Sequence, residues 1–543
     1  MNSLRIGALD IAIVLGYFAL TVAFGLWMGR RKVKSGEDLF LADRSASWPM
    51  IGASLFSANI SSQQFVGQAG LAYTIGIAAG AFQMVGAMCF VFLAVFFVEV
   101  YLGLRLRTAP EFFERRYNSS SRLFVAGINI VMILAANIVT ALYAGATVIN
   151  DLLGWTSTFH FNIAVVAIAV AAGLYTVMGG LRSILWVDLM QATLLVMGGA
   201  LTLVLSVKAA GGIEAVLALP EGATENPWSI IKPWSHAFGW LPLITGATIL
   251  GVHGHCTDHD YVQRALSAKS LFHSKMGAVF AGFLKVLALF IIAAPGVVAA
   301  KLIPGLAHPD QAYTRLITEY VPTGFVGLVM AGLLAAILGT VAAGLSASSA
   351  MLVYDFLGKW KPSVTDERRV KMGRWVMIAI LVVCTLLAPS IKSFQGVFGY
   401  LVRIWSLLAP PVFICVVFGI FSARATSKGA VATLTTGAVL GGVAFWMLGR
   451  QEMLDTLPIY FRSSLNLGVV ITVICAVVMW SLRAAKPVAA AADIRDQRHS
   501  ESSTLPAMTP RETRLYRGSL SVLLFVIVAV VWLLSPWGIA GIN

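Results

Sequence analysis

Charge is the scarcest thing in this chain. Aspartate, glutamate, lysine and arginine make up 12% of its 543 residues, against 58% hydrophobic. A soluble domain carries about 25% charged residues, so a water-soluble fold is excluded and a polytopic membrane protein is implied. Cysteine is scarce as well. Cys89, Cys256, Cys384, Cys415 and Cys475 are scattered, mostly inside apolar runs, and give neither a disulfide frame nor a metal-ligand spacing. Also missing are a nucleophile elbow, a phosphate-binding glycine loop and a zinc-helix motif, which argues against an enzyme. No cleavable signal peptide is evident, because the first apolar run, 9–28, is long enough to stay as a membrane helix. The net charge of +14 does not imply nucleic acid, since the basic residues are parcelled into short loops between apolar spans.

Apolar sequence, by contrast, is abundant. Stretches of about 20 residues or more recur from end to end, about fourteen in all. They lie near 8–29, 48–73, 75–103, 123–153, 161–179, 184–207, 238–260, 276–303, 324–357, 374–389, 397–421, 430–448, 465–482 and 519–536. Loop charge predicts their orientation. Arg30, Arg31, Lys32 and Lys34 follow the first span, and Arg105, Arg107, Arg115, Arg116 and Arg122 follow the third. Later loops of that parity carry Arg182, then Arg264 and Lys269, then Lys359, Lys361, Arg368, Arg369 and Lys371. Of the opposite parity, 150–161 has no lysine or arginine, and 208–236 holds acidic residues and prolines. Both termini are therefore expected outside a multi-pass plasma membrane, a bacterial inner membrane being the natural setting. The Ala-, Ser- and Arg-rich segment 487–510 reads as a cytoplasmic linker before the last helix.

Polar residues inside such spans are expensive and therefore informative. Residues 57–64 place Ser, Asn and Gln in mid-span, and 251–260 (GVHGHCTDHD) does so near the end of the seventh span. Unwound backbone at that depth is tolerated around a cavity, an ion or a solute. A polar helix–helix seam is the plainer alternative. Two halves that each begin with an interrupted helix point to an inverted-repeat transporter with its site at midplane. Gln83, Asn137, Thr140, Tyr143, Asp188, Lys285 and Arg403 are further polar residues within or at the ends of spans. Taken singly, Asp188 fits an interfacial loop and Lys285 a snorkelling side chain. His255 and His259 stand four residues apart, but Cys256 follows His255 where a zinc helix carries its glutamate, and His253 is off that spacing, so a zinc helix is not implied.

Several stretches together resemble the sodium/solute symporter family, the sodium–glucose cotransporter type. They are 38–44 (DLFLADR) followed by Trp48, 56–67, 107–117 (RTAPEFFERRY), 175–181 (YTVMGGL) with Val187, Asp188 and Gln191, and 261–269 (YVQRALSAK). The resemblance implies an all-α membrane fold of about 14 helices with a five-plus-five inverted-repeat, LeuT-like core. One extra helix would precede the core and three would follow it. Residues 1–46 would then hold the extra helix and a cytoplasmic loop, 47–210 the first repeat and 211–425 the second. Residues 426–485 would form two accessory helices, 486–515 the linker and 516–543 the last helix.

The resemblance also implies a sodium site. It falls on the carbonyls of Ser57, Ile60 and Ala336 and the hydroxyl of Thr340, beside Gly339, with Asp188 close enough to support the charge. Such a hard monovalent cation wants several oxygen ligands, which an unwound helix supplies. Gly339 stands where the family often has a second hydroxyl, and Ala342 and Ala343 stand where members with a second sodium site carry hydroxyls. One sodium per solute is therefore expected, with no organic cofactor.

Solute contacts fall on Asn59, Gln64, Gln83 and Lys285, with His253, Thr257 and Arg403 as further candidates. An inner aromatic of the family falls on Gly254, and Gln83 replaces a glutamate. A small polar solute, sugar or sugar-acid-like, is implied, taken up by alternating access. A guanidinium at Arg403 would suit a carboxylate. A proton-coupled transporter of the same fold, or a sodium symporter for an amino acid or other carboxylate, remains the alternative. The expected partners are the solute and the lipid bilayer, and the sequence gives no oligomeric state.

Overall fold

A computed structural model describes residues 7–29, 33, 35–60, 63–155, 157–219, 225–234, 236, 238–360, 363–393, 397–450, 453, 457–490 and 507–541. Ser61 and Ser62, the loop cations Arg30, Arg31, Lys32, Lys34 and Lys361, and much of the expected linker lie outside the described residues. Among the described residues the chain is helical without strands, apart from an isolated backbone bridge between Ala46 and Ala268.

The first half is built from α1 (Ala8–Gly29), α2 (Trp48–Asn59), α3 (63–75), α4 (81–103), α5 (119–153) and α6 (Thr158–Ala209). The second holds α7 (240–257), α8 (His259–Leu266), α9 (Leu271–Leu302), α10 (Phe325–Leu357), α11 (Asp366–Leu387) and α12 (Val397–Phe421). Three helices follow: α13 (Ser427–Leu448), α14 (Ser464–Ser481) and α15 (Pro510–Leu533).

Eleven helical stretches among the described residues are long and apolar enough to cross a membrane. The expected count exceeds this by three, and each difference is a place where a helix is broken or shared. Residues 48–73 divide into α2 and α3. Two apolar runs share the 52-residue α6. The run at 238–260 ends in the polar turn that closes α7.

Backbone breaks define the architecture. Helix α2 stops where Ile60 turns extended, at φ −88° and ψ 94°. Helix α7 stops in the same way at Asp258, φ −68° and ψ 128°. Asp258 then caps α8, its carboxylate accepting from the Asp260 N–H at 3.1 Å. Helix α6 bends at Gly180, whose φ of 60° is left-handed. A Cβ there would sit 2.6 Å from the Leu39 carbonyl, so the bend needs glycine for both reasons.

Burial orders the helices. Along its apolar length α10 is 89% buried, whereas α1 and α15 are 17% buried, so α10 is the central post and those two are the periphery. Helix α10 packs on α6, α1 and α2, and α9 packs on α2 and α4. Trp27 of α1 and Phe525 of α15 face outward, as lipid-facing positions should.

Not all of the basic loop residues face water or headgroups. Arg116, at the end of helix Ala109–Arg116, is buried. Its Nε donates to Gly419 O at 2.9 Å, Nη2 to Ser422 O at 2.8 Å and Nη1 to Ala425 O at 3.1 Å. It thereby satisfies carbonyls left open at the end of α12.

Candidate functional site

The break after α2 gathers a polar network. Asn59 Oδ1 accepts from Lys285 Nζ and, at 3.2 Å, from Gln64 Nε2, while its Nδ2 donates to the Tyr261 hydroxyl at 2.8 Å. Lys285 also donates to Gln83 Oε1 at 2.8 Å. The Gln83 amide donates onward to Gln64 Oε1 at 2.8 Å and to the Gln68 side chain. Gln68 in turn donates to Ala79 O at 2.7 Å. Five helices, α2, α3, α4, α8 and α9, thus converge on one point. An unpaired amide or ammonium in lipid costs several kcal/mol, so these groups satisfy one another.

Beside the network lies a cavity of about 120 Å³. Amide and amine groups form one wall, and Phe82, Tyr261 and Trp405 supply aromatic surface. That pairing of polar edge and ring face suits a small hydroxyl-bearing molecule.

Asn59, Gln64, Gln83 and Lys285 therefore meet at the cavity. His253, Thr257 and Arg403 are not among its lining residues. His253 and Thr257 bond each other one helical turn apart, Nδ1 to Oγ1, at 2.7 Å. Arg403 lies on α12 off the face that presents Leu401, Val402 and Trp405 to the cavity. The three histidines diverge: His253 turns to Thr257, His255 Nδ1 contacts Gly251 O at 2.8 Å, and His259 Nδ1 accepts from the Ala109 N–H at 3.2 Å.

Other lining residues escaped the sequence reading. Tyr261 lies in the stretch 261–269, which reads as a loop after the seventh span, whereas it stands on helix α8. Gln68 sits one residue beyond the 56–67 run. His255 also lines the cavity, and its Nε2 is buried without a hydrogen-bond partner. Gly254 does stand without an aromatic, but a Cβ there would collide with the Trp405 ring. The ring surface comes from α12 and α8 instead.

A second cluster adjoins the first. Thr340 lines the cavity alongside Ala58 and Asn59, and its Oγ1 donates to Ala336 O at 3.0 Å. Ser57 Oγ donates to the Asp188 carbonyl at 3.2 Å. A Cβ on Gly339 would lie 3.2 Å from Asp188 Oδ1 and 2.5 Å from Gln191 Oε1. Both of those oxygens are buried without a hydrogen-bond partner. Orphaned oxygens beside an open helix end are what a small hard cation satisfies, so the residues present fit sodium.

Behind this cluster, Arg264 joins Asp188 and Asp260. Its Nη1 meets Asp260 Oδ1 at 2.8 Å, its Nη2 lies 3.6 Å from Asp188 Oδ2, and its Nε donates to Ser54 Oγ at 2.8 Å. Ser54 Oγ also bonds Asp188 Oδ2. Ser54, Gln191 and Arg264 were not anticipated as site residues. Gln191 is the one with a usable signal, one turn after Asp188 on the same helix.

Two broken helices framing a buried polar cavity beside a cation-fitting cluster define a secondary transporter with a LeuT-like fold. Among solved structures, the chain is similar to a Na+-coupled sialic acid symporter in a substrate-bound outward-open state. The TM-score is 0.73 at 19% identity, covering 87% of this chain and 96% of that one. It is also similar to Mhp1, a nucleobase-cation-symport-1 family transporter, with a TM-score of 0.55 at 17% identity over 90% and 100% of the two chains. The sodium:solute symporter family model matches residues 39–437. Among relatives, a sodium/glucose cotransporter of Vibrio parahaemolyticus is 29% identical over 452 residues, 78% of this chain and 82% of that protein. A sodium/myo-inositol cotransporter 2 of Oryctolagus cuniculus is 33% identical over 470 residues, 80% of this chain and 69% of that protein. The chain belongs to the sodium:solute symporter family, and it couples solute import to sodium.

Proposed function

We propose that this symporter imports a small polyhydroxylated solute, a sugar or a sugar acid, with one sodium ion per solute. The observation that carries this reading is the Asn59–Gln64–Gln83–Lys285 network on a cavity with aromatic walls. Relatives named for glucose and myo-inositol support the same solute chemistry. Ala342 and Ala343, both fully buried and without side-chain oxygen, support a single cation. The sodium ligands are the carbonyls of Ser57, Ile60 and Ala336 and the Thr340 hydroxyl, with Gly339 giving room and Asp188 supplying charge.

In this reading sodium enters from outside and ties the end of α2 to α10. That fixes Asn59 and Gln64 on the solute, and the loaded bundle rocks between outward- and inward-open states. Each net charge moved inward gains ~2.3 kcal/mol per 100 mV of membrane potential. Linkage requires that sodium tighten solute binding by the same factor that solute tightens sodium. Residues 47–210 and 211–425 form the two inverted repeats, both termini face outward, and the host membrane is a bacterial inner membrane.

The test is uptake by proteoliposomes. An inward sodium gradient should drive accumulation of the solute, and replacing sodium by choline should abolish it. Accumulation that follows an inward proton gradient in choline would replace this reading with proton coupling.

A further inference from the structure

Lys285 has no carboxylate to answer it. No Asp or Glu is among the described residues that line the cavity. The buried acids Asp188 and Asp260 are paired with Arg264. Among the described residues Lys285 takes part in no ion pair, and its hydrogen-bond acceptors are the amide oxygens of Asn59 and Gln83. It is 3% exposed and faces the cavity, so a polar bond from solvent is not a standing substitute.

An ammonium in that position carries a charge that amide dipoles only partly offset. Gln83 and Gln64 meanwhile have amide donors turned on other amides. The site is therefore short of one negative charge and supplied with donors that a carboxylate or hydroxyl would accept from. Arg403 is off the cavity face and does not fill the role of anion receptor.

From this imbalance we propose that the solute is an organic monoanion, a polyhydroxylated carboxylic acid, whose carboxylate is received by Lys285 while its hydroxyls meet Asn59, Gln64 and Gln83. The proposal rests on the sugar or sugar-acid reading above and decides between its two branches. The carboxylate displaces Lys285 from Asn59 and frees the Asn59 oxygen for a solute hydroxyl. An ionic hydrogen bond is stronger than a neutral one, so an acid should bind about tenfold more tightly than its neutral counterpart, a difference of ~1.4 kcal/mol.

The experiment is thermal unfolding of the purified full chain, in sodium and in choline, titrated with matched pairs. The pairs are D-glucuronate with D-glucose, D-gluconate with D-glucitol, and N-acetylneuraminate with N-acetylmannosamine. The expected result is sodium-dependent stabilisation by at least one acid, with a half-saturating concentration about tenfold below that of its neutral partner. Lys285→Gln should erase that preference. Gln83→Glu, which gives Lys285 an internal counterion, should reverse it in favour of the neutral partner. Retained stabilisation by sodium alone shows that each variant is folded.

Equal or stronger response to the neutral partner in the wild type overturns the proposal and leaves the wider solute reading standing. Acid preference that survives in a folded Lys285→Gln variant overturns the assignment to Lys285. Absence of any sodium-dependent response across all six compounds overturns both the proposal and the solute reading it rests on.

Discussion

Asp188 and Arg264 face each other across 3.6 Å, Oδ2 to Nη2, with their side chains 1% and 0% exposed, and Ser54 Oγ hydrogen-bonds to both. The arginine comes from α8, which also carries Tyr261, three residues earlier. Tyr261 accepts from Asn59 at the cavity. One short helix therefore touches the proposed cation cluster with one side chain and the proposed solute cavity with another. A displacement of α8 changes both sites together, which is the physical requirement for coupled transport.

Removing one member of such a pair strands buried charge. Arg264→Gln is expected to destabilise the protein by ~3–5 kcal/mol, read as a sharply lowered unfolding temperature in detergent. Adding Asp188→Asn removes part of the stranded charge, so the double variant should lose less than the sum of the two single variants. Strict additivity would show that the two residues do not act as a pair.

Thr340 is the side-chain oxygen on α10 nearest the proposed cation. Thr340→Ala should raise the half-saturating sodium concentration about fivefold, for a lost contribution of ~1 kcal/mol. Thr340→Ser, which keeps the hydroxyl, should remain close to wild type. The measurement is sodium titration of uptake, with sodium titration of thermal stability in the absence of solute as the second readout. An unchanged sodium dependence in Thr340→Ala removes the hydroxyl from the site.

The residues legible in the sequence were those whose polarity contradicts their neighbours. Asn59, Gln64, Gln83 and Lys285 stand out because they sit in runs otherwise fit for lipid, and the structure brings them to one cavity. Tyr261 and Arg264 were hidden because α8 is polar and follows a span. Hydropathy alone cannot distinguish a segment facing water from one facing protein. The burial of Arg116 against the end of α12 is hidden for the same reason, since among loop cations nothing in the sequence marks it out. Trp405 was hidden in the opposite sense, since an aromatic residue in an apolar helix carries no sign of which side it faces.

The loop helix Ala109–Arg116 is fastened to the end of α10 by charge. Glu114 Oε1 meets Lys359 Nζ at 2.5 Å and accepts from Ser119 Oγ at 2.6 Å, and Glu114 Oε2 pairs with Arg122. Burial works to raise the Glu114 pKa, but the Lys359, Ser119 and Arg122 contacts outweigh it and hold the carboxyl down to about 2. A depressed carboxylate contributes stability above its unfolded pKa of ~4.3 and loses it as pH falls toward the folded value. The contribution of this group should therefore be full and constant from pH 5 upward and be lost progressively below pH 4. In Glu114→Gln the acid-side fall should be shallower. Unfolding temperatures from pH 3 to 8 check this, and an identical acid limb in the variant would show that the fastening does not contribute.

Arg403 separates a charge near the cavity from a charge that serves it. Its helix neighbours Val402 and Trp405 line the cavity, but Arg403 does not. Successive side chains on a helix point about 100° apart, so a residue beside a lining residue need not share its face. Arg403→Gln is accordingly expected to leave solute affinity and sodium-driven uptake within about twofold of wild type, a change under ~0.5 kcal/mol. Lys285→Gln should change the choice between acid and neutral solute in the same assay. If Arg403→Gln instead abolishes uptake of an acid while sparing a neutral compound, the anion receptor is the guanidinium, and the cavity extends along α12 in the state that binds solute.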